Sequence, residues 1–368
     1  MEETKLSVDI TTVLTQAIER KASDLHLTVG KPPMVRVSGK LVPLFEHPLT
    51  AEDTQALILS MLTPEQQEHY QQDLELDFSL TVPNVSRFRV NCYVQNGGLA
   101  AAMRAIPSII PKMEELGLPA ICSEWTKLRN GLVLVTGPTG SGKSTTLAAM
   151  ISAINREREC HIVTIEDPIE FVHPHQKAMV NQREVGAHTR SFGNALRSLL
   201  REDPNVVLVG EMRDLETIAS AITIAETGHL VFGTLHTLDA AQTIDRIVDV
   251  FPPHQQQQIR AMLAGALRGV ICQQLIARKD LKGRVAAREV MVVTNAVANM
   301  IREGKTHQIY SIIQTSSNLG MITMDQSINA LVQKGLITYE TAVAHAVEPK
   351  AITKPSSGPA PVAAAPAR

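Results

Sequence analysis

Aromatic side chains are scarce in this 368-residue chain, at 3% of the total, so the stacking platforms that usually hold single-stranded nucleic acid have little to be built from. Charge of one sign is missing as well. The 35 lysines and arginines stand against 37 aspartates and glutamates, and the formal charge of -2 offers no electrostatic footprint for a polyanion. The four cysteines, Cys92, Cys122, Cys160 and Cys272, lie far apart and form no Cys-x-x-Cys pair. Structural zinc wants paired ligands at short spacing, so these read as small buried hydrophobes of a reducing compartment. No stretch reaches the ~18 uncharged apolar residues that would span a bilayer. The start, Met1-Glu2-Glu3-Thr4-Lys5, is acidic and lacks the basic and apolar regions of a signal peptide. A cytoplasmic protein is expected, without direct membrane insertion, any membrane role coming through a partner.

What is present is ordinary globular material, 44% hydrophobic and 20% charged, at a length that suggests two or three domains. An amphipathic helix is expected from Val8 to Lys21, with Ile10, Val13, Leu14, Ala17 and Ile18 on its apolar side. Met34–Val37 and Arg87–Val90 alternate with period two, as half-buried strands do, and the first hundred residues read as a small α+β domain. Pro107, Pro111, Gly117 and Pro119 then punctuate the chain as an interdomain linker would. Beyond it the apolar runs Leu132–Val135, Ile162–Ile165, Val206–Val209 and Leu230–Phe232 are short and unbroken, as in strands buried on both faces of a parallel sheet. With helices between them they imply an α/β nucleotide-binding core. After about residue 253 the chain is expected to be mainly helical, with Arg284–Val293 as a strand. The residues from Ala351 to Arg368 are mostly Pro, Ala and Ser and are expected to form a disordered tail.

The most specific local pattern is Gly137-Pro138-Thr139-Gly140-Ser141-Gly142-Lys143-Ser144, which fits G-x-x-x-x-G-K-S in full. It follows the expected strand Leu132–Thr136 and leads into a helix over about 143–155, with Thr145 in the first turn. Glycines let backbone N–H groups curl around phosphates, and the helix N-terminus adds its positive dipole end. Lys143 is expected to bridge the β- and γ-phosphates of ATP and the Ser144 hydroxyl to ligate Mg²⁺.

Two acidic clusters accompany this loop. Glu166, Asp167 and Glu170 follow the strand Ile162–Ile165 at its carboxyl end, where ligands sit in open α/β sheets. Glu211 follows the strand Val206–Val209 through Gly210, in the form of a Walker B element with Glu where Asp is usual. A carboxylate of this kind can hold Mg²⁺ directly or through water, while another positions the attacking water. His229 and His236 bracket a further buried strand. They are too far apart, about 23 Å at strand rise, to touch one small ligand. His236, at the carboxyl end, can face the γ-phosphate, and His229 packs or bridges near a subunit contact.

Taken in order, these blocks resemble the secretion ATPase superfamily of type II secretion and type IV pili. The phosphate loop is similar to its Walker A, Glu166–Glu170 to its Asp box, Gly210–Asp214 to its atypical Walker B and His229–His236 to its His box. Ala22–Leu27, Arg87–Asn91, Asn181–Val185, Gly210–Thr217 and Leu319–Met321 with Thr323 and Asp325 look like the pilus retraction branch. The resemblance implies a PAS-like N-terminal domain over residues 1–104, a linker over 105–118 and a RecA-like ATPase domain over 119–350, assembled as a homohexamer. It implies that Glu170 is the catalytic carboxylate, and that Arg87, Arg89 and Arg104 reach phosphates across a subunit interface. Guanidinium suits that task because it stays charged and binds phosphate oxygens bidentately.

The implied work is pilus retraction, in which the ring turns an inner-membrane platform protein and so depolymerises pilin, the basis of twitching motility. Assembly ATPases of the superfamily typically carry a tetracysteine zinc insert and a longer N-terminal region, which favours retraction here. One departure stands out: Ala296-Val297-Ala298-Asn299-Met300-Ile301 replaces the usual Ala-Ile-Arg-Asn-Leu-Ile of a helix linked to retraction. Losing that arginine keeps open a second reading, an accessory paralogue that binds a partner retraction hexamer. A DNA-dependent RecA-like motor is the third, disfavoured by the scarce aromatics and neutral charge.

Overall fold

The computed structural model describes residues 9–83, 85–106 and 109–354. They divide into two compact units, one running up to Ile110 and including Pro168–Val172, the other comprising Pro111–Asp167 and the residues from His173 onward.

The first unit runs α1 (Ile10–Glu19), β1 (Asp24–Leu27), β2 (Met34–Val37), β3 (Lys40–Pro43), α2 (Ala51–Leu59), α3 (Pro64–Asp73), β4 (Glu75–Val82), β5 (Ser86–Gln95) and β6 (Gly98–Ile106). Helix α1 begins where Asp9 accepts the N–H of Thr12 at 2.7 Å, and it buries Val13, Leu14 and Ala17; Val8 lies outside the described residues. The strands form one antiparallel sheet in the order β3-β2-β1-β6-β5-β4. Period-two alternation decides the faces: Phe88, Val90 and Cys92 of β5 enter the core with Leu25, Leu27, Val35 and Met103, so Arg87 and Arg89 stand on the other side.

The second unit contains α4 (Ile121–Thr126), β7 (Gly131–Thr136), α5 (Lys143–Glu157), β8 (His161–Glu166), β9 (Met179–Glu184), α6 (Phe192–Leu199), β10 (Val206–Val209), α7 (Leu215–Glu226), β11 (Leu230–Leu235), α8 (Ala240–Asp249) and α9 (Pro253–Ala266). Next come β12 (Leu267–Ala277), β13 (Arg284–Val292), α10 (Asn295–Glu303), α11 (Ile309–Thr315), α12 (Met324–Gln333) and α13 (Tyr339–His345). Its sheet has the order β13-β12-β7-β11-β10-β8-β9, parallel except for β13. Every residue of β7, β10 and β11 is buried, and separate apolar clusters cover the two faces. At roughly 1.5–3 kcal/mol for each fully buried Val or Leu, these runs are committed to the middle of the sheet.

Two expectations need correction. The chain beyond residue 253 is not mainly helical up to Arg284, because Leu267–Ala277 forms the strand β12, paired parallel to the phosphate-loop strand β7. Helix α9 passes directly into β12 without an intervening loop, the switch being made between Gly265 and Gly269 by Leu267 at φ -66°, ψ 133°. The polar Arg268, Gln273 and Gln274 further disguise the strand. The expected tail also starts too early. Ile352 is buried, and Asn329 of α12 donates to the carbonyl of Ala351 at 2.8 Å and accepts the N–H of Thr353 at 2.9 Å. Residues 355–368 lie outside the described residues, as does Pro107.

The part of the linker from Pro111 onward belongs to the second unit. Arg288 of β13, 8% exposed, donates at 3.0 Å to the carbonyls of both Leu116 and Gly117. At Gly269 of β12 the indole of Trp125 lies where a Cβ would be, 2.0 Å from it. Gly269→Ala should therefore overpack the site and cost about 1–3 kcal/mol, read as a lower urea midpoint. An unchanged midpoint would show that the indole relocates freely.

Candidate active site

The phosphate loop joins β7 to α5, and its shape follows from what surrounds it. Gly137 has φ +138°, and a Cβ there would stand 2.2 Å from the carbonyl oxygen of Gln273, so only glycine permits the approach of β12. Gly142 caps α5 at φ +88° without a side-chain hydrogen bond, leaving the first N–H groups of the helix unclaimed by side chains. Pro138, Thr139, Gly140 and Ser144 are exposed, Gly142, Lys143 and Thr145 half-buried and Ser141 buried. The Lys143 ammonium donates to the carbonyls of Gly137 at 2.8 Å and Pro138 at 3.1 Å. Burial lowers its pKa, and the charge of Glu211 works the other way.

Sequence reasoning missed the residue that secures this loop. Gln273 of β12 donates from Nε2 to the carbonyl of Ser141 at 2.6 Å and accepts from the Thr146 hydroxyl at 2.9 Å, both bonds buried. One amide thus clasps the loop and the first turn of α5. A glutamine inside a segment read as helical carried no signal; only the pairing of β12 with β7 brings it here.

Glu211 emerges at the carboxyl end of β10 because the residues flanking it continue the sheet. Gly210 donates to the carbonyl of Ile165 at 2.7 Å on one side, and Met212 to that of Thr234 at 3.0 Å on the other. The carboxylate meets the His236 ring, Nε2 to Oε1 2.7 Å, and forms a close ion pair with Arg213. Burial opposes its ionisation, but the hydrogen bond from Arg213 and the charges of His236 and Arg213 outweigh it and hold the pKa below the usual carboxylate range. These side chains line a cleft of about 380 Å³ with Arg246 of α8, a cation the sequence did not single out. Asp214, the last residue of the motif, caps α7 by accepting the N–H of Thr217 at 2.9 Å.

Other expected residues are placed differently. Glu166 accepts from Thr164 at 2.7 Å and Gln182 at 3.1 Å, which fixes it within the second unit. Asp167 and Glu170 are exposed, and Glu170 lies in Pro168–Val172, which groups with the first unit. His229 stands at the amino end of β11, its Nδ1 3.0 Å from the carbonyl of Ile224, at the opposite end of the strand from His236.

In the first unit, Arg87 is half-buried and Arg89 exposed. Arg89 lies directly opposite Arg104 in the sheet, and Arg104 donates to Asp24 at 2.9 Å. Arg89 and Arg104 line a recess of about 220 Å³ with Asp24, His26, Asp77 and Asn91.

A phosphate loop between a buried strand and a helix, with a carboxylate and histidine at the ends of neighbouring parallel strands, defines a RecA-like P-loop ATPase. More particularly, the chain belongs to the type II/IV secretion system protein family, whose model matches residues 2–344. It is 54% identical to the type IV pilus retraction ATPase PilT of Pseudomonas aeruginosa over 91% of this chain and 97% of the relative. Its identity to the type IV pilus ATPase PilU of the same organism is 40%, over 89% of this chain and 86% of that one. A crystal structure of the pilus retraction motor PilT with bound ADP superposes with a TM-score of 0.88 at 49% identity, covering 94% of this chain and 98% of that one.

Gln273→Leu should leave the Ser141 carbonyl and Thr146 hydroxyl without their partner, at about 1–3 kcal/mol each. The expected readout is a lower melting temperature with a raised KM for ATP. An unchanged KM would mean that the loop holds its shape without the amide.

Proposed function

We propose that the chain is a homohexameric ATPase motor that hydrolyses ATP to drive type IV pilus retraction, depolymerising pilin and supporting twitching motility. The observation that carries this reading is the full-length likeness to retraction ATPases joined to a phosphate loop and a Glu211–His236 pair in one unit. The motor works in the cytoplasm, peripheral to the inner membrane, against a platform protein of the pilus machine. Among the described residues no helix is long and apolar enough to cross a membrane. A nucleic-acid partner is not part of this reading.

In this mechanism Lys143 bridges the β- and γ-phosphates while the loop from Gly137 to Ser144, with Thr145, wraps them. Mg²⁺ fits the donors available: a hydroxyl at Ser144 and an ionised carboxylate at Glu211 are hard oxygen ligands. The ion would neutralise charge building on the phosphate oxygens. His236 orients Glu211 and faces the γ-phosphate, and Glu170 positions the attacking water.

Arg87, Arg89 and Arg104 reach a neighbouring subunit's nucleotide, where His229 lies near the contact. Arg104 must first leave Asp24, and with Arg104 74% exposed that pair is worth only about 0–1 kcal/mol. ATP binding closes the subunit interface and hydrolysis releases it. The hinge of this cycle lies in the linker at about residues 105–118, ahead of Leu116 and Gly117, whose carbonyls Arg288 holds to the ATPase unit.

The second reading is an accessory paralogue that acts mainly by binding a partner ATPase hexamer. It is favoured by Ala298, half-buried in α10, where the branch usually has arginine. The greater identity to PilT, 54% against 40% to PilU, favours the independent motor. Light scattering on purified protein with MgATP should give a hexamer with ATPase activity, and Lys143→Ala should abolish hydrolysis. A monomer under all conditions, or wild-type turnover in Lys143→Ala, would overturn the motor.

A further inference from the structure

Glu289 is a buried acid that phosphate binding does not use. It lies in β13, 2% exposed, opposite Cys272 of β12 and one strand position from the Gln273 pairing. Its Oε1 accepts the N–H of Ala240, the first residue of α8, at 2.9 Å, and the backbone N–H of Met324, the first residue of α12, also favours the charged carboxylate. Two helix N-termini therefore converge on one carboxylate, the polarity that suits an anion. The facing groups from the packed elements are Asp239 at the cap of α8, Asp325 of α12, Tyr310 of α11 and Cys272 of β12. Burial pushes the carboxyl up to about 7; the N–H of Ala240 opposes that rise and Asp239 adds to it.

The anchor at Ala240 is four residues from His236. Between them the chain is braced by Thr237 and Thr243, whose hydroxyls lie 2.7 Å apart, and by the Thr243 hydroxyl donating to the carbonyl of Asp239 at 2.7 Å. At the near end His236 meets Glu211 at 2.7 Å. On the far side α12 is held in turn by Asp325, which accepts the N–H groups of Val347 and Glu348 at 2.8 and 2.9 Å. A short, braced segment thus runs from the γ-phosphate end of the site to the C-terminal helices, with Glu289 at its junction.

We propose that Glu289 is a positioning residue for ATP hydrolysis: by anchoring the first turn of α8 to β13, beside the start of α12, it fixes the segment that presents His236 to Glu211 and makes that setting depend on the C-terminal part of the unit. Stability alone does not explain an acid here. A carboxyl whose pKa is raised above its unfolded value contributes stability in full below that unfolded value and loses it as pH rises through about 7. An uncharged residue of the same shape would be the more stable choice at pH 8. Retaining the acid at that cost is what a positioning role requires.

The proposal rests on the reading of His236 and Glu211 as the γ-phosphate end of the site, and His236→Ala tests that reading separately. For Glu289→Gln in the full chain, kcat for ATP should fall at least fivefold at pH 8, with KM within twofold and a melting temperature no lower than that of the parent. The rise of kcat from pH 6 to pH 8 should flatten in the variant. Parental kcat and pH profile in Glu289→Gln, with hydrolysis impaired in His236→Ala, overturn this proposal alone. Unimpaired hydrolysis in His236→Ala overturns the reading beneath it. Should the glutamine variant not fold, amide exchange on the unaltered chain decides. Corrected for intrinsic rates, protection over residues 237–243 and 322–327 should strengthen together as pH falls through 7, and pH-invariant or independent protection overturns the proposal.

Discussion

The second unit depends on one buried amide. Gln273 holds the carbonyl of Ser141 and the hydroxyl of Thr146, so a loop rich in glycine, with little conformational preference of its own, is kept in one shape beside β12. A phosphate cradle is useful only if its N–H groups already point where the charge will be, because reorganisation during the reaction would be subtracted from the stabilisation they give. Gln273 supplies that preorganisation, and the contact of Gly137 with the carbonyl of the same residue shows how tightly loop and strand are fitted. The same strand sets Cys272 opposite Glu289, so the support of the loop and the junction of the C-terminal helices lie on adjacent positions of β12.

Electrostatics complete the arrangement. Burial works against the charge of Glu211, and Arg213 and His236 outweigh it, holding its pKa below the usual carboxylate range at the carboxyl end of the sheet. In the first unit the directly opposed Arg89 and Arg104 are a local cost, since like charges across a strand pair weaken a sheet, and Asp24 relieves it in part. Arginines gathered on a sheet face are understandable where an anion is to be bound, which is the role that the resemblance implies for them.

Much of this was legible in the sequence, for definite reasons. The strands β7, β8, β10 and β11 were readable because parallel strands buried on both faces leave an unbroken apolar run, and the phosphate loop because its geometry admits few residues. Glu211 and His236 could be placed at carboxyl ends by counting from those runs, and the structure brings them to 2.7 Å. β12 could not be read, since it follows α9 without an intervening loop and carries polar side chains whose partners are more than 120 residues away in the chain. Gln273, Arg288 and Glu289 share that cause: each is defined by contacts between distant segments. The tail boundary failed on one residue, Ile352, whose burial outweighs the composition around it.

The central claim is that this chain is itself the motor and not a helper of another ring, and Ala298 is where the sequence gives reason to ask. The most direct measurement is fluorescence imaging of labelled pili in living cells from which this chain alone has been deleted, a paralogous retraction ATPase being left in place. The account predicts that pili still extend but no longer retract. Retraction at the parental frequency and speed would contradict it.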